Sequence, residues 1–260
     1  MDFTIRKYRQ LLKSLHHAGF FFQGFDEYVM DAAQKFIILR HDVDKKPENS
    51  LSFAKIQNEY GIRGTYYFRI VPESFQPGII KAISDMGHEI GYHYETMDTC
   101  RGNVDEAYDE FRRNLETFRK LVDIKTISMH GSPLSKYDNR DIWKKYSYRE
   151  LGIIAEPYFD LDFDEVFYIT DTGRRWDGHL YNVRDKATND NPMTNQYFMT
   201  LRFRSTDDIV DAVNRGTFPE KAMMNFHPQR WNDALLPWAR EWVWQNIKNQ
   251  AKRVLIAVRS

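Results

Sequence analysis

The chain is 260 residues long, and its 37 Lys and Arg are balanced by 37 Asp and Glu, so the formal net charge is zero. That length suits one large α/β domain spanning residues 1–260, with a core of useful size. The 15% aromatic content argues against disorder, and the balanced charge gives no global sign of nucleic acid or an anionic membrane as partner, leaving only a local patch open.

Cys100 is the sole cysteine, which rules out an internal disulfide and a Cys-based zinc site. Residues 1–10 are polar and lack the apolar run of a secretory signal. The most apolar stretches, such as 36–39 and 254–258, are too short to span a bilayer. The expectation is a reduced, cytoplasmic protein if the chain begins at its natural start.

In chain order, residues 4–19 read as a helix with Tyr8, Leu11, Leu12 and Leu15 on one face. Residues 35–40 read as a buried strand ending at His41-Asp42-Val43-Asp44. Residues 47–60 follow as a helix with Pro47 in its first turn. The segment 64–68 is β-prone, 77–86 a short helix, and 88–93 the next strand end. Asn103 caps a helix over 103–122, in which Ala107, Phe111, Leu115 and Phe118 recur at helical spacing. A strand at 126–129 ends at His130-Gly131-Ser132-Pro133. Residues 139–150 read as partly helical, 166–170 as a strand and 171–200 as loop-rich. Ser205 or Thr206 caps a helix over 207–214, with Asp207 and Asp208 in its favourable first turn. A strand at 222–226 ends at His227, and a Trp-rich helix runs from about 235 to 252, where Trp238 and Trp242 are expected to pack against the body.

Strands alternating with helices imply a parallel sheet or barrel, and parallel α/β folds build their sites at the carboxyl ends of strands. Asp42, Asp44, His93, His130 and His227 recur at those ends. Asp42 and Asp44, two apart on an extended strand, point to the same side. Two ionised carboxylates so close repel unless a cation separates them. The competing reading is a solvated strand end. His93 suits a divalent ion as neutral imidazole. His88 reads as structural.

The strings His41-Asp42-Val43-Asp44, Gly64-Thr65-Tyr66-Tyr67-Phe68 and Gly87-His88-Glu89-Ile90-Gly91-Tyr92-His93 resemble, in order and spacing, the polysaccharide deacetylase family (carbohydrate esterase family 4, the NodB homology domain). His130-Gly131-Ser132-Pro133 and His227 fall where that family has its later motifs. Tyr92-His93-Tyr94-Glu95-Thr96, Met129-His130-Gly131-Ser132-Pro133 and Thr170-Asp171-Thr172-Gly173-Arg174-Arg175-Trp176 are most similar to its WbmS-like branch, associated with lipopolysaccharide O-antigen loci.

The resemblance implies a distorted (β/α)7 barrel and hydrolysis of an N-acetyl or similar amide on a sugar. It implies Asp42 as general base, Asp44 and His93 as ligands of a divalent metal, most simply Zn2+, and His227 as general acid. The family's second metal histidine is replaced by Met97, a poor ligand for such an ion. His130, Glu95 or His41 could complete the set. His130 is preferred, because catalytic zinc usually takes three protein ligands. The alternatives are a degenerate carbohydrate-binding relative, or a metal-free amidohydrolase acting on a small non-sugar amide. The family's base-orienting arginine is absent from the string at 130–133, and Arg174 or Arg175 could replace it. They could equally clamp their loop through Asp171 or Asp177. Arg230 is a candidate for an anionic substrate group, and Tyr94, Trp176 and Trp231 for stacking on sugar faces. The partner so implied is a sugar or oligosaccharide, free, nucleotide-linked or lipid-linked, with no nucleic acid.

Overall fold

The computed structural model describes residues 1–131, 135–176 and 196–259. The chain runs α1 (Ile5–His17), β1 (Phe21–Gln23), α2 (Phe25–Met30), β2 (Phe36–Val43), α3 (Pro47–Glu59), β3 (Thr65–Phe68), α4 (Pro77–Asp85) and β4 (Glu89–Tyr94). It continues through α5 (Thr96–Thr99), α6 (Val104–Arg119), β5 (Ile127–Met129), α7 (Pro157–Asp160), β6 (Phe167–Thr170), α8 (Gln196–Thr200), α9 (Thr206–Asn214), β7 (Lys221–Phe226) and α10 (Leu235–Arg259). Two 3-10 turns, Asn139–Lys144 and Tyr148–Leu151, lie where partial helix is expected.

The seven strands among the described residues are all parallel, in the order β5-β4-β3-β2-β7-β6, with β1 beside the start of β2. No ladder joins β5 to β6 among the described residues; a single bridge, Thr126 to Ala155, extends the β5 edge. The sheet is therefore a curled half-barrel of the (β/α)7 type. Strands β1 and helices α2, α5, α7 and α8 are not anticipated by the sequence reading. Each is six residues or fewer, too short for a period to show. Helix α10 runs beyond the expected end near 252.

Alternation along β2 sorts its side chains into two layers. Ile37, Leu39 and Val43 join the large cluster between sheet and helices, with Leu11 and Phe53. Phe36 and Ile38 face the other way and pack with Phe25, Leu161, Val166 and Met223 as the floor of the half-barrel. Above that floor, Arg40 and Asp42 continue the inward row. Burial of both faces is why β2 reads as a continuous apolar run up to Leu39.

On the neighbouring strand, Gly91 sits level with Tyr67 of β3. A Cβ at Gly91 would stand 2.3 Å from the Tyr67 ring and 2.9 Å from the Thr126 carbonyl oxygen. Only glycine lets the ring cross there, with its hydroxyl 3.0 Å from Thr126 Oγ1. The end of α1 is set more simply: the Thr4 side chain caps it through Lys7 N, and Tyr8, Leu11, Leu12 and Leu15 form its buried face.

Candidate metal centre

The carboxyl ends of β2, β4, β5 and β7 gather the polar groups singled out in the sequence. Asp44, just past β2, presents Oδ1 at 3.8 Å from His93 Nε2 and 3.6 Å from His130 Nε2. Its Oδ2 lies 3.9 Å from His227 Nε2 and accepts from Gln229 Nε2 at 3.1 Å. Asp42 Oδ2 is 3.9 Å from His93 Nε2.

Each imidazole is held from behind. His93 Nδ1 lies 2.9 Å from the Ser128 carbonyl oxygen, so Nδ1 carries the proton and Nε2 offers its lone pair to the site. His130 Nδ1 makes an off-line ion-pair contact, 2.9 Å from Glu95 Oε2. Glu95 is itself gripped by Arg69, whose Nε and Nη2 donate to it at 2.8–3.1 Å. His227 Nδ1 lies 2.6 Å from Asp171 Oδ1. The Asp171 carboxylate also accepts from His227 N, Arg230 Nη1 and Trp231 Nε1.

Both carboxylates are held ionised to lower pH than free ones. Burial works to raise the Asp42 carboxyl, but the Arg40 guanidinium, with help from His93, outweighs it and holds the group well below the usual range. Arg40 Nε and Nη2 donate to Asp42 Oδ1 and Oδ2 at 2.8 and 2.9 Å, and Asn225 Nδ2 donates to Oδ2 at 2.9 Å. Asp44 is also lowered: burial opposes ionisation, and the three surrounding histidines overcome it. Burial pushes His93 down to about 4. For His130 burial again acts downward, but the contact with Glu95 and the charge of Asp44 raise the group overall.

A divalent cation fits this donor set. Asp44 Oδ1 is buried and has no hydrogen-bond partner. It faces two imidazole Nε2 atoms whose opposite nitrogens are turned to acceptors, so acceptor meets acceptor unless a proton or a cation lies between. Among the described residues no three ligating side chains are already drawn into a closed cage. Two atoms at about 2.0–2.1 Å from one tetrahedral ion stand roughly 3.3–3.4 Å apart. The observed 3.6 and 3.8 Å are wider than that by a few tenths of an ångström. The pairwise distances and the orphaned oxygen carry more weight than the missing closure, because side-chain rotation alone covers so small a gap. The residues that would hold the ion are Asp44, His93 and His130.

Comparisons with known proteins leave this geometry to speak for itself. No family model matches the chain, and no curated protein does. Solved structures similar to it include a mutant of BA3943, a CE4 family pseudoenzyme with restored enzymatic activity (11% identity, TM-score 0.44, 84% of this chain and 63% of that one). PdaA of Bacillus subtilis, a family 4 carbohydrate esterase, gives 15% identity and TM-score 0.41 over 93% of this chain and 84% of its own. The Xyl-CE4 domain of a xylanase from the hindgut metagenome of Trinervitermes trinervoides gives 12% and 0.41, over 84% and 85%. The chain thus spans less than two thirds of the first of these.

Several expected substrate contacts are placed elsewhere. Tyr94 alternates with His93, so it faces the helices; it is fully buried, and its hydroxyl accepts from Trp143 Nε1 at 2.8 Å. Trp176 is buried in the large core cluster and donates to Thr206 Oγ1. Trp231 is buried with its indole N–H on Asp171, so none of these rings presents a face for sugar stacking. Arg230 donates to the Asp171 side chain and carbonyl instead of pointing to open space.

Arg174 is buried, with its guanidinium over Trp238 and Phe3 and Nη1 donating to the Trp238 carbonyl. It therefore does not orient Asp42; Arg40 does that. Arg175 is half-buried in the same loop. Asp177, Ser132 and Pro133 lie outside the described residues, as does most of the loop-rich 171–200 stretch.

The other ligand options also resolve spatially. Glu95 is committed to Arg69 and His130. His41 faces the helices, stacked 4.1 Å from Tyr66 with Gln57 at its Nε2. Met97 is buried in the core cluster.

Sequence reasoning missed Arg40, Asn225 and Gln229, and gave Asp171 and Glu95 other roles. A signal existed for two of them: Arg40 shares the parity of Asp42 on β2, and Asn225 stands two before His227 at the end of β7.

Proposed function

We propose that the chain is a divalent-metal-dependent hydrolase that removes an N-acetyl or similar acyl group from a sugar. The observation that carries this reading is the buried, unpartnered Asp44 Oδ1 facing His93 Nε2 and His130 Nε2. Around it stand a carboxylate kept ionised, Asp42, and an imidazole with a buried acidic partner, His227.

Zn2+ or a similar ion held by Asp44, His93 and His130 would supply Lewis acidity to the amide carbonyl and to the attacking water. Asp42, always ionised at neutral pH, accepts the water proton as the C–O bond forms. Arg40 and Asn225 fix the carboxylate, so it takes that proton without reorienting. The Asp171 contact holds Nδ1–H of His227 and turns Nε2 to the site, where the protonated ring would give its proton to the departing nitrogen as the C–N bond breaks. Glu95 and Arg69 lock the His130 ring.

For the substrate we propose an acylated sugar of lipopolysaccharide O-antigen, on the strength of the WbmS-like strings at 92–96, 129–133 and 170–176.

Elemental analysis of purified protein tests the centre. Near-stoichiometric zinc or a similar metal, lost in both Asp44→Ala and His93→Ala, is expected. Asp42→Asn should retain metal and lose acetate release from N-acetylated oligosaccharides by about a hundredfold or more. Unchanged metal content in His93→Ala would remove the ligand assignment, and an active Asp42→Asn enzyme would remove the base.

A further inference from the structure

Helix α10 presents its inner and outer sides differently. Trp238 anchors it: the indole N–H donates to the Asp2 carbonyl, the Trp238 carbonyl accepts from Arg174, and the ring lies under the Arg174 guanidinium. Gln245, seven residues on, is buried, and Glu241 between them is half-buried. These three mark the side turned to the body.

On the opposite side, at spacings of seven and four, stand Leu236, Val243 and Ile247, which are 82%, 49% and 56% exposed. Trp244, 51% exposed, flanks that stripe and Arg240 is its one charged member, while Trp242 stacks on Trp238 nearer the body. The outward side of a helix in a water-soluble body is ordinarily its most polar. Here the order is reversed over three turns, which is how an apolar docking stripe reads.

The charge of the segment selects the occupant. Residues 235–259 carry Arg240, Lys248, Lys252, Arg253 and Arg259 against Glu241 alone, a net +4 in a chain of zero net charge. Three of the six tryptophans, Trp238, Trp242 and Trp244, also lie here. A second copy of the chain would bring +4 against +4. An anionic lipid surface is complementary to it, and a segment that joins Trp, Lys and Arg with an apolar stripe has the composition of helices that lie in the bilayer interface. None of the described helices is long and apolar enough to cross a membrane.

We propose that α10 is an interfacial docking helix that lays Leu236, Val243 and Ile247 into the surface of an anionic membrane. Arg174, which grips its first turns, is three residues from Asp171, the partner of His227, so the helix is rooted at the end of the sheet that bears the candidate site. The proposal does not depend on the hydrolase reading.

Flotation of the full chain with phosphatidylcholine vesicles, with and without phosphatidylglycerol, tests it. The chain should float with the anionic vesicles, and less so as salt is raised. Val243→Ser/Ile247→Ser should weaken that partition by about tenfold or more, since two apolar side chains leave the lipid. Both positions are exposed, so an unchanged thermal melt is expected. Lys248→Gln/Lys252→Gln/Arg253→Gln should lose the preference for anionic over neutral vesicles. No flotation with anionic vesicles, or flotation indifferent to the serine pair, would overturn the proposal. So would a dimer in sedimentation that the serine pair converts to monomer, because a second copy would then own the stripe.

Discussion

Arg40 and Asp42 meet in the interior of the half-barrel, where each is almost wholly shielded from water. The guanidinium also lies over Tyr67 and Tyr158, at 5.4 and 5.6 Å, so its unbonded faces are covered by rings. A buried ion pair adds little net stability, yet removing one partner strands the other charge at a cost of about 3–5 kcal/mol. Arg40→Met should therefore destabilise the fold by that order in urea unfolding, while Arg40→Met/Asp42→Asn should recover much of it. Equal destabilisation of the single and double variants would mean that Arg40 matters only for packing. The same contact fixes the proposed base without help from a distant loop: the orienting cation sits two residues away on the same face.

Elements, more than single residues, decide how closely these groups approach one another, and β4 shows it. His93 reaches the site only if β4 lies flat beside β3, and that requires Gly91 under the Tyr67 ring. Gly91→Ala should cost about 1–3 kcal/mol by overpacking. Paired with Tyr67→Ala, it should cost less than the sum of the two single changes. Strict additivity in that cycle would show that the ring yields freely. The parallel order of strand and helix, and the strand ends bearing Asp44, His93, His130 and His227, were legible because periodicity and polar punctuation are local signals. The expectation that Tyr94 stacks on a sugar fails, and parity already opposes it: if His93 points inward, its neighbour points outward. What sequence could not supply was partnership across strands. Arg40 shares the parity of Asp42 on β2, but nothing local says that their common face is closed to solvent by Tyr67 and Tyr158 from other elements. Trp176 and Trp231 read as ring candidates for a sugar, and their burial follows from the packing of Phe3, α1, α9 and β7 around them. Asp171 reads from sequence as one of two possible loop partners of Arg174 and Arg175, and its histidine, 56 residues away, carries no local sign of the pairing.

Across the molecule, buried titratable groups set opposing pH slopes. Burial raises Glu89 and Glu156 to about 7, above the 4.5 of a free side chain. Between those values the fold holds protons that the unfolded chain has released, so their contribution is complete below about 4.5 and is lost as pH rises through about 7. Burial lowers His41 to about 3 and His88 to about 4, below the usual 6.5. Their contribution is present above 6.5 and is lost as pH falls toward those values, because the unfolded chain takes up protons that the fold excludes. Glu156 isolates the first slope. Its carboxylate accepts from Met129 N and Tyr158 N, joining β5 to α7, and Gln at that position cannot ionise. Losing an acceptor gives Glu156→Gln a penalty that does not vary with pH. The penalty of ionising a buried carboxyl falls on the unmutated chain alone. Relative to that chain, Glu156→Gln should therefore gain about 3 kcal/mol in urea unfolding between roughly pH 4.5 and pH 8. A stability difference that stays flat over that interval would mean that Glu156 ionises in the fold as readily as in water, through closer contact with Arg40 and Arg140 than their present positions provide.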